Sequence, residues 1–141
     1  MDFRHQETAE RLHNGWIVVA ALIGVSSVAA GAFAAHGLNP VADAARIGWL
    51  RTGSLYAALH ALALLATFAL AAQGRLAQGW ARGALWLFSA GAVLFPGALY
   101  GLALGGPRWL GAIAPFGGTA LILGWLSLAG AALRTGARRQ S

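Results

Sequence analysis

Residues 16–35 read WIVVAALIGVSSVAAGAFAA, 20 consecutive positions without a charge. Wound as a helix at about 1.5 Å per residue, this run spans roughly 30 Å, the depth of a bilayer's hydrocarbon core. The residues before it form a short polar stretch carrying Asp2, Arg4, Glu7, Glu10 and Arg11. A cleaved signal peptide is the competing reading, because Ala32-Phe33-Ala34 resembles a cleavage signature. The run is longer than the apolar segment of such a leader, so it is read as a retained first span.

Working outward, three more apolar runs follow, at about 54–72, 83–104 and 110–133. Their flanks carry arginines, Arg75 after the second run, Arg82 and Arg108 around the third, and Arg108 and Arg134 around the fourth. This is the pattern of helix ends anchored at the headgroups. Expected, therefore, is an all-α, four-helix transmembrane bundle forming one domain over residues 1–141. Between the first two spans, Asn39 can cap and Pro40 suits a first helical turn. Residues 41–51, with Trp49 at headgroup level, are expected to form a short interfacial helix. The remaining connections are too short to hold a soluble domain.

Composition agrees. The chain is 58% hydrophobic and only 10% charged, with mean hydropathy +0.64, too apolar to keep a soluble surface wetted. All 10 basic residues are arginine and the net charge is +6, which raises nucleic-acid binding as a possibility. Their placement excludes it as a working reading, since they bracket apolar runs and are not interleaved with aromatics. The absence of cysteine removes disulfides and thiolate metal sites. Arginines near the N-terminus (Arg4, Arg11), between the second and third runs (Arg75, Arg82) and near the C-terminus (Arg134, Arg138, Arg139) outnumber Arg46, Arg51 and Arg108. Both termini are accordingly expected on the cytoplasmic side.

In lipid, helices associate through close backbone approach and a few hydrogen bonds. Gly97, Gly101 and Gly105 form one four-residue stripe expected to be a packing seam, and Ser27, Gly31 and Ala35 form another. Gly117, Gly118 and Gly124 should let the fourth helix approach its neighbours. Pro96 is expected to kink the third span and Pro115 to loosen the fourth near its start.

No Asp, Glu, Lys or Arg falls inside any of the four runs, which removes the usual carboxylate relays and ion-coupling sites of pumps. What remains is His36, Tyr56, His60 and Tyr100, which the alternating topology should bring to one depth in the outer half of the membrane. This candidate cluster reads in three ways: hydrogen bonds that fix helix register, ligands to a haem or metal, or a pocket for a lipid headgroup or quinone-like ring. Two histidines without a carboxylate or thiolate make a poor metal set, so no cofactor and no catalytic residue is assigned. His5 and His13 fall in the polar tail.

Four segments together resemble a known family. They are Gly31-Ala32-Phe33-Ala34-Ala35-His36-Gly37-Leu38, Tyr56 through His60-Ala61-Leu62, Leu94-Phe95-Pro96-Gly97-Ala98-Leu99-Tyr100, and Ala114-Pro115-Phe116-Gly117-Gly118 with Gly124-Trp125 beyond. The combination is similar to the small membrane proteins of domain of unknown function 423, with Ala34, Pro96 and Ala98 as departures from its pattern. The resemblance implies a four-span protein of the bacterial inner membrane and no established activity. The functions left open are a non-catalytic accessory or assembly subunit of a larger membrane complex, an oligomeric small-solute transporter or channel, and a binder of a lipid or quinone-like ligand. The expected partners are membrane lipid, a larger complex or further copies of the chain.

Overall fold

The computed structural model describes residues 3–138, with side chains over 15–135. The side chains of His5, His13, Arg4, Arg11, Arg138 and Arg139 lie outside the described residues. Among the described residues the only regular elements are four helices: α1 (Phe3–His36), α2 (Ala44–Ala72), α3 (Gln78–Ala103) and α4 (Leu110–Arg138). Their apolar stretches are Gly15–His36, Ala44–Ala72, Gln78–Ala103 and Leu110–Thr135. All four are long and apolar enough to cross a membrane. Between 28% and 39% of each stretch is buried within the chain, so most of every helix surface is left for lipid.

The turns explain where the helices stop. After His36, Asn39 Oδ1 accepts from the Val41 and Ala42 amides at 2.9 and 3.1 Å, and the Asn39 amide donates to Asp43 Oδ2 at 3.2 Å. This reciprocal pair of bonds closes the turn over residues 40–43, and α2 begins directly after it at Ala44. The separate interfacial helix expected over 41–51 is therefore absent: residues 41–43 are turn, and 44–51 are the first two turns of α2. Nothing breaks the helix between Arg51 and Ser54, because Gly53 underlies the Tyr100 ring and Ser54 is bonded to α1. In hydrocarbon, a break would leave backbone groups unpaired at several kcal/mol each. Arg46 pins this end of α2, donating from Nη1 to Asp43 at 2.9 Å and from Nε to the Ala103 carbonyl at the end of α3. Just beyond this end of α3, Gly105 takes φ +85°, and the Gly106 amide donates back to Gly101 O at 2.8 Å, a glycine-closed helix end. Gln78 Nε2 satisfies the Ala71 carbonyl at the close of α2, and the Ala77 amide donates to Ala131 O of α4.

Packing follows chain order: α1 lies on α2, α2 on α3 and α3 on α4, with a slight touch between α1 and α3. No comparable seam joins α1 or α2 to α4, so the arrangement is an open series instead of a closed bundle. The α3–α4 seam is the most extensive. Phe88, fully buried, lies on Gly124; Leu121 fills the space beside Gly91; the backbone at Phe95 rests on Gly117; and Trp80 covers Gly130. Ser127 Oγ donates to Trp80 O at 2.8 Å, and the Arg134 guanidinium sits 5.0 Å from the Trp80 ring. The α1–α2 seam is closed by two serines that exchange hydrogen bonds: Ser27 Oγ to Ser54 O at 2.8 Å and Ser54 Oγ to Ser27 O at 2.7 Å. Gly31 makes room beside Ser54.

The expected stripe at Gly97, Gly101 and Gly105 does not run as one helix–helix seam. Gly97 is exposed with open space around it, Gly101 meets Leu110 just across the turn, and Gly105 belongs to the turn itself. The reason is rotational. The buried face of α3 carries Ala81, Ala84, Phe88, Gly91, Ala92, Pro96 and Leu99, and a residue adjacent to Pro96 falls about 100° away from it. Pro96 and Pro115 both sit inside continuous helices.

Two glycine substitutions separate these roles. At Gly117 a Cβ would collide with the Phe95 backbone, which cannot swing aside, so Gly117→Ala should destabilise the protein in detergent by about 1–3 kcal/mol. Gly97→Ala should be neutral or stabilising by up to about 1 kcal/mol, because it fills open space and favours the helix. Unfolding midpoints for the pair check this; equal destabilisation would contradict the seam assignment.

Candidate functional site: the aromatic cluster around His60

Among the described residues His60 is one of four buried polar residues, with Ser27, Thr67 and Ser127, and is 5% exposed. It lies about 18 Å along α2 from Ala72 and about 24 Å from Ala44, deep within the apolar stretch. Its Nδ1 lies 2.8 Å from the Tyr56 carbonyl one turn earlier, and Trp125 Nε1 on α4 lies 3.2 Å from its Nε2. An indole nitrogen only donates, so Nε2 must be the acceptor and Nδ1 must carry the proton that goes to Tyr56 O. Two hydrogen bonds thus fix the tautomer and engage both ring nitrogens.

Aromatic rings enclose this group. Tyr56 stacks on His60 with centroids 5.9 Å apart, Phe88 lies 5.8 Å away, and Trp125 stands edge-on at 6.1 Å. Phe88 and Trp125 are T-shaped at 5.1 Å, and Tyr56 meets Phe95 at 4.9 Å. Offset and edge-to-face geometries of this kind add about 0.5–1.5 kcal/mol per pair beyond burial. The cluster therefore draws residues from α2, α3 and α4, and His60–Trp125 is its direct polar link between α2 and α4.

Of the four residues singled out in the sequence, the structure brings Tyr56 and His60 together and leaves the other two apart. Tyr100 lies over Gly53 and packs with Ala30, Ala34, Ile47, Leu50 and Ala103 between α1, α2 and α3. Its hydroxyl is buried without a hydrogen bond of good geometry, with the Ser26 side chain, which donates to Ile23 O, its polar neighbour. His36 is exposed at the end of α1. Sequence reasoning missed Trp125, Phe88 and Phe95 as members of the site. A tryptophan in mid-span is a signal that a partner is needed for its N–H, but which helix supplies the acceptor is a tertiary fact. The arrangement fixes the position of one helix against another: the His60 ring is held in an aromatic setting with both nitrogens engaged.

A double-mutant cycle with His60→Ala and Trp125→Phe should give a coupling of about 0.6–2 kcal/mol in detergent unfolding, with His60→Ala alone costing about 1 kcal/mol or more. Strict additivity of the two would contradict the bond.

Comparison with known proteins places this geometry in a family. The family model described as "Protein of unknown function (DUF423)" matches residues 30–118, which include His60 and Gly117 and stop short of Trp125. The "UPF0382 membrane protein" of Haemophilus influenzae is 37% identical over 118 residues, covering 84% of this chain and 93% of its own length. The "UPF0382 inner membrane protein YgdD" of Escherichia coli (strain K12) is 40% identical over 116 residues, covering 82% and 87%. A "UPF0382 membrane protein" of Staphylococcus epidermidis is 37% identical over 119 residues, covering 84% and 95%. No solved structure matches the chain. With four apolar helices and relatives of this kind, the chain is a multi-pass inner-membrane protein that belongs to the DUF423 (UPF0382) family.

Proposed function

We propose that the chain is a non-catalytic membrane component that packs against a larger membrane complex as an accessory or assembly subunit. The observation that carries this reading is where the chain spends its buried volume. Phe88, Leu64, Thr67 and Pro96 are fully buried, and among the described residues the buried polar ones are two serines, a threonine and His60 with both its nitrogens engaged. An interior filled in this way supports a packing role over passage of a solute. The available surface is instead on the outside. Because the series of helices is open, α1 and α4 each present a long apolar face, with Leu22, Val25 and Val28 on one and Phe116, Ile122, Leu126 and Leu133 on the other. Helices in lipid dock through such faces by van der Waals fit.

Isolation from native membranes in mild detergent, followed by mass spectrometry, tests the proposal. The expected result is stoichiometric recovery with one larger complex, whose assembly falls in cells lacking the chain. Recovery as a lone chain or homo-oligomer that conducts a solute across liposomes would replace this reading with transport.

We also propose that both termini face the cytoplasm, supported by the arginine distribution. Because the chain has no cysteine, single additions report side directly. In spheroplasts an impermeant maleimide should label Pro107→Cys and spare Ser141→Cys until the membrane is opened. The reverse pattern would invert the topology.

A further inference from the structure

Trp80 lies near the start of the apolar stretch Gln78–Ala103, and Arg134 near the end of Leu110–Thr135. Because α3 and α4 run in opposite directions, both reach one rim of the molecule, at the depth of the headgroup layer. There the Arg134 guanidinium sits 5.0 Å from the centroid of the Trp80 ring. The ring is itself seated: its six-membered edge covers Gly130, and Ser127 Oγ donates to the Trp80 carbonyl at 2.8 Å. Both side chains are exposed, and neither the guanidinium nor the indole N–H has a hydrogen-bond partner among the described residues. We propose that this pair binds the phosphodiester of an anionic phospholipid.

A guanidinium stacked by its face spends none of its N–H donors on the ring, so the stack holds its plane and leaves its edges free. Those edges suit two phosphate oxygens taken in bidentate fashion, and the indole N–H is a further donor. Arg46 shows the contrast: it is occupied by Asp43 and the Ala103 carbonyl, whereas Arg134 has neither kind of acceptor. Asp43 is the one acidic residue whose side chain is described, and it precedes the opposite end of α2. No described carboxylate therefore competes for the Arg134 guanidinium or could hold the ammonium of a zwitterionic headgroup. Arg75 adds positive charge to the same rim, exposed on the turn whose Ala77 amide donates to Ala131 O, one turn before Arg134. Exposed Leu126 and Leu133 offer apolar surface on α4 leading up to Arg134, which suits an acyl chain and has no use for a free anion. Arg82 carries the same charge at the same end but on another face. It is one turn from Gln78, which reaches Ala71 O of α2, and one turn from Trp86, which meets Trp16 of α1.

Native mass spectrometry of the full chain in detergent, titrated with phosphatidylglycerol or phosphatidylcholine, reads the binding. The first phosphatidylglycerol should bind at least about tenfold more tightly than phosphatidylcholine. Arg134→Gln should weaken it by about tenfold, and Arg134→Lys, which keeps the charge but loses the planar fork, by about threefold or more. Arg82→Gln should stay within about twofold of the parent. Inorganic phosphate in excess should leave the lipid bound. The comparison of lipids and the phosphate competition need no variant, and reading the isolated chain keeps the result separate from the accessory role. Equal binding of the two lipids, equal losses for Arg134→Gln and Arg82→Gln, Arg134→Lys binding like the parent, or displacement by inorganic phosphate would each overturn the proposal.

Discussion

The close approach of α3 and α4 is the contact on which the rest of this structure depends. At its centre the backbone of Phe95 rests on Gly117, with Phe88 on Gly124 two turns further along α4. Lipid tails are as apolar as leucine, so burial alone gives helices little reason to choose one another, and backbone-to-backbone fit has to supply the preference. Glycine at these two positions supplies it by leaving out the Cβ. Once α4 is seated there, Trp125, one residue beyond Gly124, is carried over Phe88 to His60 of α2. The link between two helices that share no seam of their own is thus a consequence of a third helix fitting closely to one of them.

Polar groups are few, and several of them are used to join helices. Ser27 and Ser54 clasp α1 to α2, Ser127 reaches the Trp80 carbonyl, Gln78 closes the end of α2, and Arg46 ties the start of α2 to the end of α3. Each is worth only about 0.6–2 kcal/mol in a membrane setting, yet each is directional where dispersion is not. Thr67 Oγ1 and the Tyr100 hydroxyl are the buried side-chain atoms left without a hydrogen bond among the described residues. They fall in separate places, one on α2 and one on α3, and His60 stands apart from both in having each of its polar atoms satisfied.

The fold was legible because the bilayer simplifies it: an uncharged run of about 20 residues has one regular solution that pairs its backbone internally. Span positions and count follow from that, and the segments around His36, His60, Pro96 and Gly117 identify the family. Helix rotation was not legible. Gly97, Gly101 and Gly105 have the spacing of a seam, but the buried face of α3 is set by Phe88, Gly91 and Pro96, which only the shape of α4 selects. The interfacial helix failed for a related reason, because Trp49 and Arg51 suit a headgroup layer whether they lie along it or cross it in the first turns of α2. For the site, i to i+4 spacing gave Tyr56 with His60, whereas Trp125 lies 65 residues away and its role required the tertiary arrangement.

A multi-pass member of the DUF423 family therefore holds one well-specified polar group in an aromatic setting at the middle of its longest apolar stretch. The proposed accessory role rests on a related observation: the described interior is filled, and the exposed apolar residues lie on the outward sides of the helices. The most direct measurement is solid-state magnetic resonance of the His60 ring in lipid, with isotopically labelled nitrogen. The account predicts a protonated Nδ1, an unprotonated Nε2, and a through-space correlation between Nε2 and the Trp125 indole N–H. A ring protonated at Nε2, or one showing no contact with that indole, would contradict it.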